Sequence, residues 1–142
     1  MFKKYGLLFL LSGFSTLMAH NLVVTTQGLR NTKGVVQFSL YNKEGTIPDK
    51  KLDLYYKMKR VTIAKDGVAK VTFKNLPEGR YAVSVFHDEN DNGTIDKGML
   101  LPKEGVGLSN FGSIDFFHLP NFERASFGLH RDLVKQIKMI YL

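Results

Sequence analysis

The chain has no cysteine. This excludes a disulfide staple, a thiolate nucleophile and a lipid-attachment cysteine in one stroke. Beyond residue 19 it also lacks an apolar run long enough to cross a bilayer, so no transmembrane segment is expected in the mature chain. Internal repeats and low-complexity segments are absent, and arginine and aromatic residues do not interleave as they do in nucleic-acid modules; nucleic acid is not an expected partner. The glycine frame of a nucleophile elbow is missing too. Its nearest approach, Gly107-x-Ser109-x-x-Gly112, has the wrong spacing. A hydrolase would have to assemble its site from distant residues that the sequence does not display.

What is present begins with a leader. Lys3 and Lys4 precede an apolar stretch from Leu7 to Leu17, broken by Ser12, Gly13, Ser15 and Thr16 and followed by Ala19. Positive start, short apolar centre and small residue form the layout of a secretory signal peptide. Cleavage is expected between Ala19 and His20, leaving residues 20–142 as one exported domain, periplasmic or secreted. The formal charge of +7 stays basic without the two leader lysines. Lys51, Lys57, Lys59 and Arg60 form one basic group, and Arg124, Arg131, Lys135 and Lys138 another. Both read as solvated strand and loop faces; the partners such charge would attract are envelope components or anionic polysaccharide.

Alternation with period two dominates the rest. Val36, Phe38 and Leu40 alternate with Gln37, Ser39 and Tyr41; Val71 and Phe73 alternate with Lys70, Thr72 and Lys74; Tyr81, Val83 and Val85 alternate with Ala82, Ser84 and Phe86. Each run predicts a strand with one face in a core. "NLVVTTQGL" supplies a first strand and "QIKMIYL" a last one. Asp66-Gly67 between "RVTIA" and "VAKVTF" predicts a hairpin. Residues 43–59 predict a helical turn or an irregular crossover with Leu52, Leu54, Tyr55 and Met58 as its apolar contacts. The run from Gly98 to Gly128 carries Phe111, Phe116, Phe117, Phe122 and Phe127, which predicts a flap that folds back and buries several of them. The expected fold is all-β, a single Ig-like or prealbumin-like sandwich of about seven strands with a long Phe-rich flap.

The sharpest chemistry is "DENDNGTIDKGM". Against the calcium-loop template it places Asp88 first, Asn90 third, Asn92 fifth, Gly93 at the sharp bend, Thr94 seventh with its carbonyl, and Asp96 ninth. Met99 stands where a bidentate carboxylate normally closes the cage, and a strand leads in where an EF-hand has a helix. The closing ligand must therefore come from elsewhere: Glu104 is nearest in sequence, with Asp115 and Glu123 further off. Glu89 and Asp91 fall out of phase and should face solvent. Asn92-Gly93 alone would make a two-residue turn, but a turn does not require Asp88, Asn90 and Asp96 at ligand spacing. A weak structural Ca2+ site is the expectation, on Asp88, Asn90, Asn92, Thr94, Asp96 and Glu104. Asn92-Gly93-Thr94 is also a glycosylation sequon, incompatible with Asn92 as a ligand. The alternative cofactor is copper: an N-terminal His20 could chelate Cu through its amine and imidazole, with His87, His118 or His130 completing the set. "PKEGVGLSN" is read as a segment needing positive φ or close backbone approach at Gly105 and Gly107, with Ser109 and Asn110 pairing to backbone beside the ion loop.

From about residue 75 onward, "NLPEGRYAVSVFHDENDNGTIDKGMLLPKEGVGLSN" and "PNFERASFGL" resemble an exported bacterial family of uncharacterised proteins, domain of unknown function 2141, in its "LPxGxYAVxxxHDxNxNGxxD", "PxEGxGxSN" and "PxFxxAxF" segments. The resemblance implies a prealbumin-like or carboxypeptidase-regulatory-like sandwich, and it implies no reaction. The related hydroxyisourate hydrolases close on "YRGS", whereas this chain closes on "IKMIYL"; that enzyme is not expected.

Overall fold

A computed structural model describes residues 18–95, 103–115 and 117–142. Most of the leader, residues 1–17, and Phe116 of the flap lie outside the described residues. Eight strands and one helical turn are present among those described: β1 (Ala19–Gln27), β2 (Val35–Tyr41), β3 (Lys57–Thr62), β4 (Lys70–Pro77), β5 (Gly79–Asp88), β6 (Gly105–Leu108), α1 (Phe122–Ala125), β7 (Phe127–Leu129) and β8 (Leu133–Lys138). They build two sheets, β4-β1-β8 and β3-β2-β5-β6, with β7 also pairing with β5. This is the all-β sandwich that the alternation predicts. No helix of the described residues is long and apolar enough to cross a membrane.

The inward phase of each strand makes the core. Leu22 and Val24 of β1, Val36, Phe38 and Leu40 of β2, Val71 and Phe73 of β4, and Val83 and Val85 of β5 pack in one cluster with Leu129 and Ile137. Each such buried side chain contributes about 1.5–3 kcal/mol relative to exposure. The alternation misjudges the other face of the larger sheet. Gln37, Ser39 and Tyr41 of β2 and Ala82 and Phe86 of β5 are buried as well; Phe111, Phe122 and Ala125 of the flap and Ile47 of the segment after β2 pack on that face. A second cluster of Tyr41, Ile47, Ala82, Leu108, Phe122 and Ala125 results.

Two connections differ from expectation. Gly67 does turn the chain, at φ 79°, with its N–H donating to the Ala64 carbonyl at 2.9 Å. Yet β3 and β4 then enter different sheets. The turn is a corner of the sandwich rather than a two-strand ladder; seven residues between the strands give it the length to cross. Across that corner Lys59 Nζ donates to the Thr72 carbonyl at 2.6 Å. In the segment after β2, Ile47 is the buried apolar contact, while Leu54 and Tyr55 are exposed.

The flap is more ordered than a cover. Among the described residues its first strand is β6, which joins β5 with register Val85↔Gly107. Phe122 and Phe127 are buried, but Phe117 is exposed. Gly105 and Gly107 serve close approach, not positive φ. A Cβ on Gly107 would stand 2.7 Å from Ile137 Cγ2 and 2.9 Å from the Lys138 carbonyl. That clearance lets Val106 and Ile140 exchange backbone hydrogen bonds of 2.9 and 2.7 Å, tying the two sheets together at one edge. Ser109 and Asn110 pair with backbone, though not beside the acidic loop. Ser109 Oγ accepts from Val83 N at 3.0 Å and donates to the Ala125 carbonyl at 2.6 Å, and Asn110 donates to the Arg124 and Ser126 carbonyls around α1.

Gly107→Ala should lower stability by roughly 1–3 kcal/mol, because the new methyl meets a backbone oxygen that cannot step aside. Amide exchange at Val106 and Ile140 should speed up relative to the strand centres. Unchanged protection at both would show that the sheets are not joined there.

Candidate functional site

The acidic stretch leaves the sheet at the end of β5. Asp88 pairs in register with Val35, and the residue before Val35 is Gly34, with φ 66°. A Cβ there would lie 2.0 Å from the Asp88 carbonyl oxygen, so only glycine fits beneath the start of the loop. Asp88 itself is completely buried. Its Oδ1 accepts from Asn92 N at 3.1 Å and its Oδ2 from Gly93 N at 2.8 Å. Asn90 Oδ1 accepts from Asn92 N at 3.3 Å and Asn92 Oδ1 from Thr94 N at 3.0 Å. Gly93, with φ 76°, makes the bend. The side-chain oxygens of Asp88, Asn90 and Asn92 are therefore folded back onto the backbone amides of the turn.

A cation absent from the predicted set is already there. Arg60 of β3 stands opposite Gln37 of β2, and its Nη2 donates to Asp88 Oδ2 at 2.8 Å and to Asp91 Oδ1 at 2.7 Å. Its Nη1 donates to Gln37 Oε1 at 3.0 Å, and Gln37 passes a hydrogen bond to Ser39 Oγ at 3.2 Å. The bond to Asp88, opposed by partial burial, holds the guanidinium pKa above its ordinary value. Arg60 is thus no member of a solvated basic face. Its signal in the sequence is faint: a polar residue in phase with Gln37 on the side of the strand that alternation assigns to water.

Glu89 also corrects the reading. It is shielded from solvent by Asn31, which donates to Oε2 at 3.0 Å, and by Arg30, whose Nε donates to Oε1 at 2.8 Å and whose Nη2 pairs with the same oxygen. Burial alone would raise the Glu89 pKa; the Asn31 and Arg30 hydrogen bonds and the Arg30 charge more than reverse this and hold it below its ordinary 4.5. Asp91 is exposed as expected, yet it is bound to Arg60. Glu104, buried on the flap, accepts from Glu89 N at 3.0 Å through Oε1. The flap carboxylate therefore does reach the base of the loop. Asp115 instead binds His118 at 2.9 Å. Asp96 and Met99 lie outside the described residues. Among the described residues no three His, Asp or Glu side chains converge as a metal site.

The histidines are divided. His20 and His87 sit beside opposite ends of β5: His20 Nε2 is 2.9 Å from Glu78 Oε1, while His87 is wholly buried. His130 approaches the other Glu78 oxygen at 3.9 Å, so it is the histidine that shares an acidic partner with His20. His87 Nε2 donates to the Lys33 carbonyl at 2.8 Å, leaving Nδ1 to accept from the Tyr141 hydroxyl at 2.9 Å. Tyr141 in turn accepts from Arg30 N at 3.1 Å, and its ring lies under the Arg30 guanidinium at 4.6 Å. A continuous network runs from the core histidine to the Glu89 carboxylate.

Replacing Arg60 with Met should cost about 3–5 kcal/mol in denaturant unfolding, since it strands the buried Asp88 charge; a loss under 1 kcal/mol would show that the pair is not the loop's anchor. Glu89→Gln tests the other pairing. A carboxylate with a depressed folded pKa contributes stability above its unfolded pKa and forfeits it as pH falls through the folded one. The variant should unfold more easily at neutral pH and show a flatter decline below about pH 4.5; parallel acid curves would refute the assignment.

A search of curated proteins finds no match, and a search of solved structures finds none either. A family model does match, over residues 24–137, from the middle of β1 into the last residues of β8, and it carries the description "Uncharacterized protein conserved in bacteria (DUF2141)". The match takes in both sheets, the acidic loop, the flap and the Arg60 anchor, and on that span the chain belongs to the DUF2141 family.

Proposed function

We propose that the protein is an exported, non-catalytic β-sandwich whose Asp88–Asp96 loop takes up calcium as a clasp between the end of β5 and the flap. The folding of the loop carries this reading: a fully buried Asp88 has both oxygens drawn into the bend by Asn92 and Gly93 amides. Calcium takes six to eight oxygen ligands from such a mixture of carboxylates, carboxamides and backbone carbonyls. The ligand set is Asp88, Asn90, Asn92, Thr94 and Asp96, with Glu104 reaching over from the flap to the Glu89 amide. Arg60 makes the site weak. A guanidinium 2.8 Å from Asp88 opposes a second cation, so a dissociation constant of roughly 10⁻⁴ to 10⁻³ M is expected, a range suited to extracellular modules.

Export is supported by the leader layout, whose last residue, Ala19, coincides with the first residue of β1. The non-catalytic reading is supported by Ser109, whose hydroxyl is engaged with backbone at both its donor and its acceptor side.

At about 10 mM calcium such a site adds roughly 1–3 kcal/mol to folding, seen as a melting temperature several degrees above that in chelator. Asp96→Ala should erase the rise. Arg60→Met should be partly rescued by calcium and gain more from it than the parent chain, because the ion then replaces the lost positive charge. Identical melting with chelator and with calcium in both parent and Arg60→Met would sink the proposal.

A further inference from the structure

The outer face of the larger sheet holds a feature that the calcium reading does not use. Ile47, Leu52, Phe86, Leu108 and Ile114 are among the residues that line a pocket of about 390 Å³ between the segment after β2 and the flap. Small-molecule sites span roughly 300–1,000 Å³ and combine an apolar lining with a few fixed polar groups; this pocket meets both conditions. Its polar side chains are those of Tyr41, Ser84, Asp49 and Lys50.

Those groups are not equivalent. Asp49 is committed to the fold: it accepts from the Tyr41 hydroxyl at 2.9 Å, Leu54 N at 2.9 Å and Asp53 N at 3.2 Å. It shapes the pocket wall and its charge is taken up by three donors. Lys50 is exposed, and among the described residues no carboxylate stands within ion-pair distance of it. Lys51 follows it, and the same segment exposes Leu54, Tyr55 and Tyr56. A mostly apolar chamber thus has Lys50, a lysine without a carboxylate partner, among its lining residues, and the segment that carries it also exposes apolar surface.

We infer that this pocket binds an aliphatic carboxylate, with the chain against Phe86, Leu108 and Ile47 and the head group on Lys50. A phosphate or a sugar would meet too little polarity in the lining, and a neutral hydrocarbon would leave the ammonium without a role. The inference is independent of calcium, and its test runs in chelator.

Titration calorimetry of the purified protein with decanoate, 1-decanol and phosphatidylglycerol vesicles separates the possibilities. Saturable one-to-one binding of decanoate is expected, with decanol at least about tenfold weaker and Lys50→Glu losing about tenfold, the worth of one charge-assisted contact. Ser84→Phe, which fills the chamber, should abolish binding while the protein still melts cooperatively. If that variant does not fold, Lys50→Glu, on an exposed side chain, decides alone. Absent decanoate binding, equal affinity for decanol, or an unchanged Lys50→Glu would each overturn the inference. Binding to vesicles without binding of free decanoate would also overturn it, and would make the Tyr55–Tyr56 face a membrane contact.

Discussion

A carboxylate with no solvent exposure at the end of a strand is the group around which this sandwich is arranged. Asp88 cannot carry its charge there without donors, and removing one partner of such a buried pair costs several kcal/mol. Its donors come from both directions. The loop supplies two backbone amides, and Arg60 reaches from β3, with β2 lying between that strand and β5. This ties three strands to one register: sliding β3 by a single residue would turn Arg60 to the core face, where Phe38 and Val85 lie. Gln37 completes the span, sitting opposite Arg60 and accepting its second donor.

The flap depends on the same strand. β5 lies between β2 and β6 and pairs also with β7 through its first residues, so its backbone is paired along most of its length. Ser109 then seats the chain after β6 against Val83, and the Asn121 side chain caps the following helical turn by accepting from Arg124 N. Glu104 links the entrance of the flap to the amide just past Asp88. Among the described residues no buried side-chain nitrogen or oxygen lacks a hydrogen-bond partner, which is how a sheet face carrying Gln37, Ser39 and Asp88 can be covered at all.

Much of this is legible in the residues, and the part that is not has a common cause. Alternation finds β1, β2, β4 and β5 and their inward residues because burial on the core face leaves a period of two. It cannot tell water from a covering flap on the second face, so Gln37 and Ser39 look solvated and Arg60 looks like surface charge. Asp66-Gly67 specifies a bend, but a bend does not say whether the strands on either side share a ladder; the lengths of both sheets decide that. The alternate polar residues Asp88, Asn90, Asn92 and Thr94 mark one turn, and proximity in sequence suggests Glu104 as its neighbour. Arg30 and Asn31, which hold Glu89, are 59 and 58 residues away from it along the chain, and no local pattern connects them.

The corner between β3 and β4 bears on how the molecule behaves in company. The sheets part there, and each ends in a strand with one unpaired edge, the usual template for accretion of a foreign strand. Lys59 crosses the gap to occupy the Thr72 carbonyl, while Lys57, Lys70 and Lys74 stand exposed along the same two strands. At the far border β8 carries Lys135 and Lys138. Excess positive charge in this chain is thus distributed along its sheet margins, where it repels a like molecule approaching edge-on. The basicity that suggests an anionic partner also works as self-avoidance, keeping a sandwich without disulfides from growing sideways.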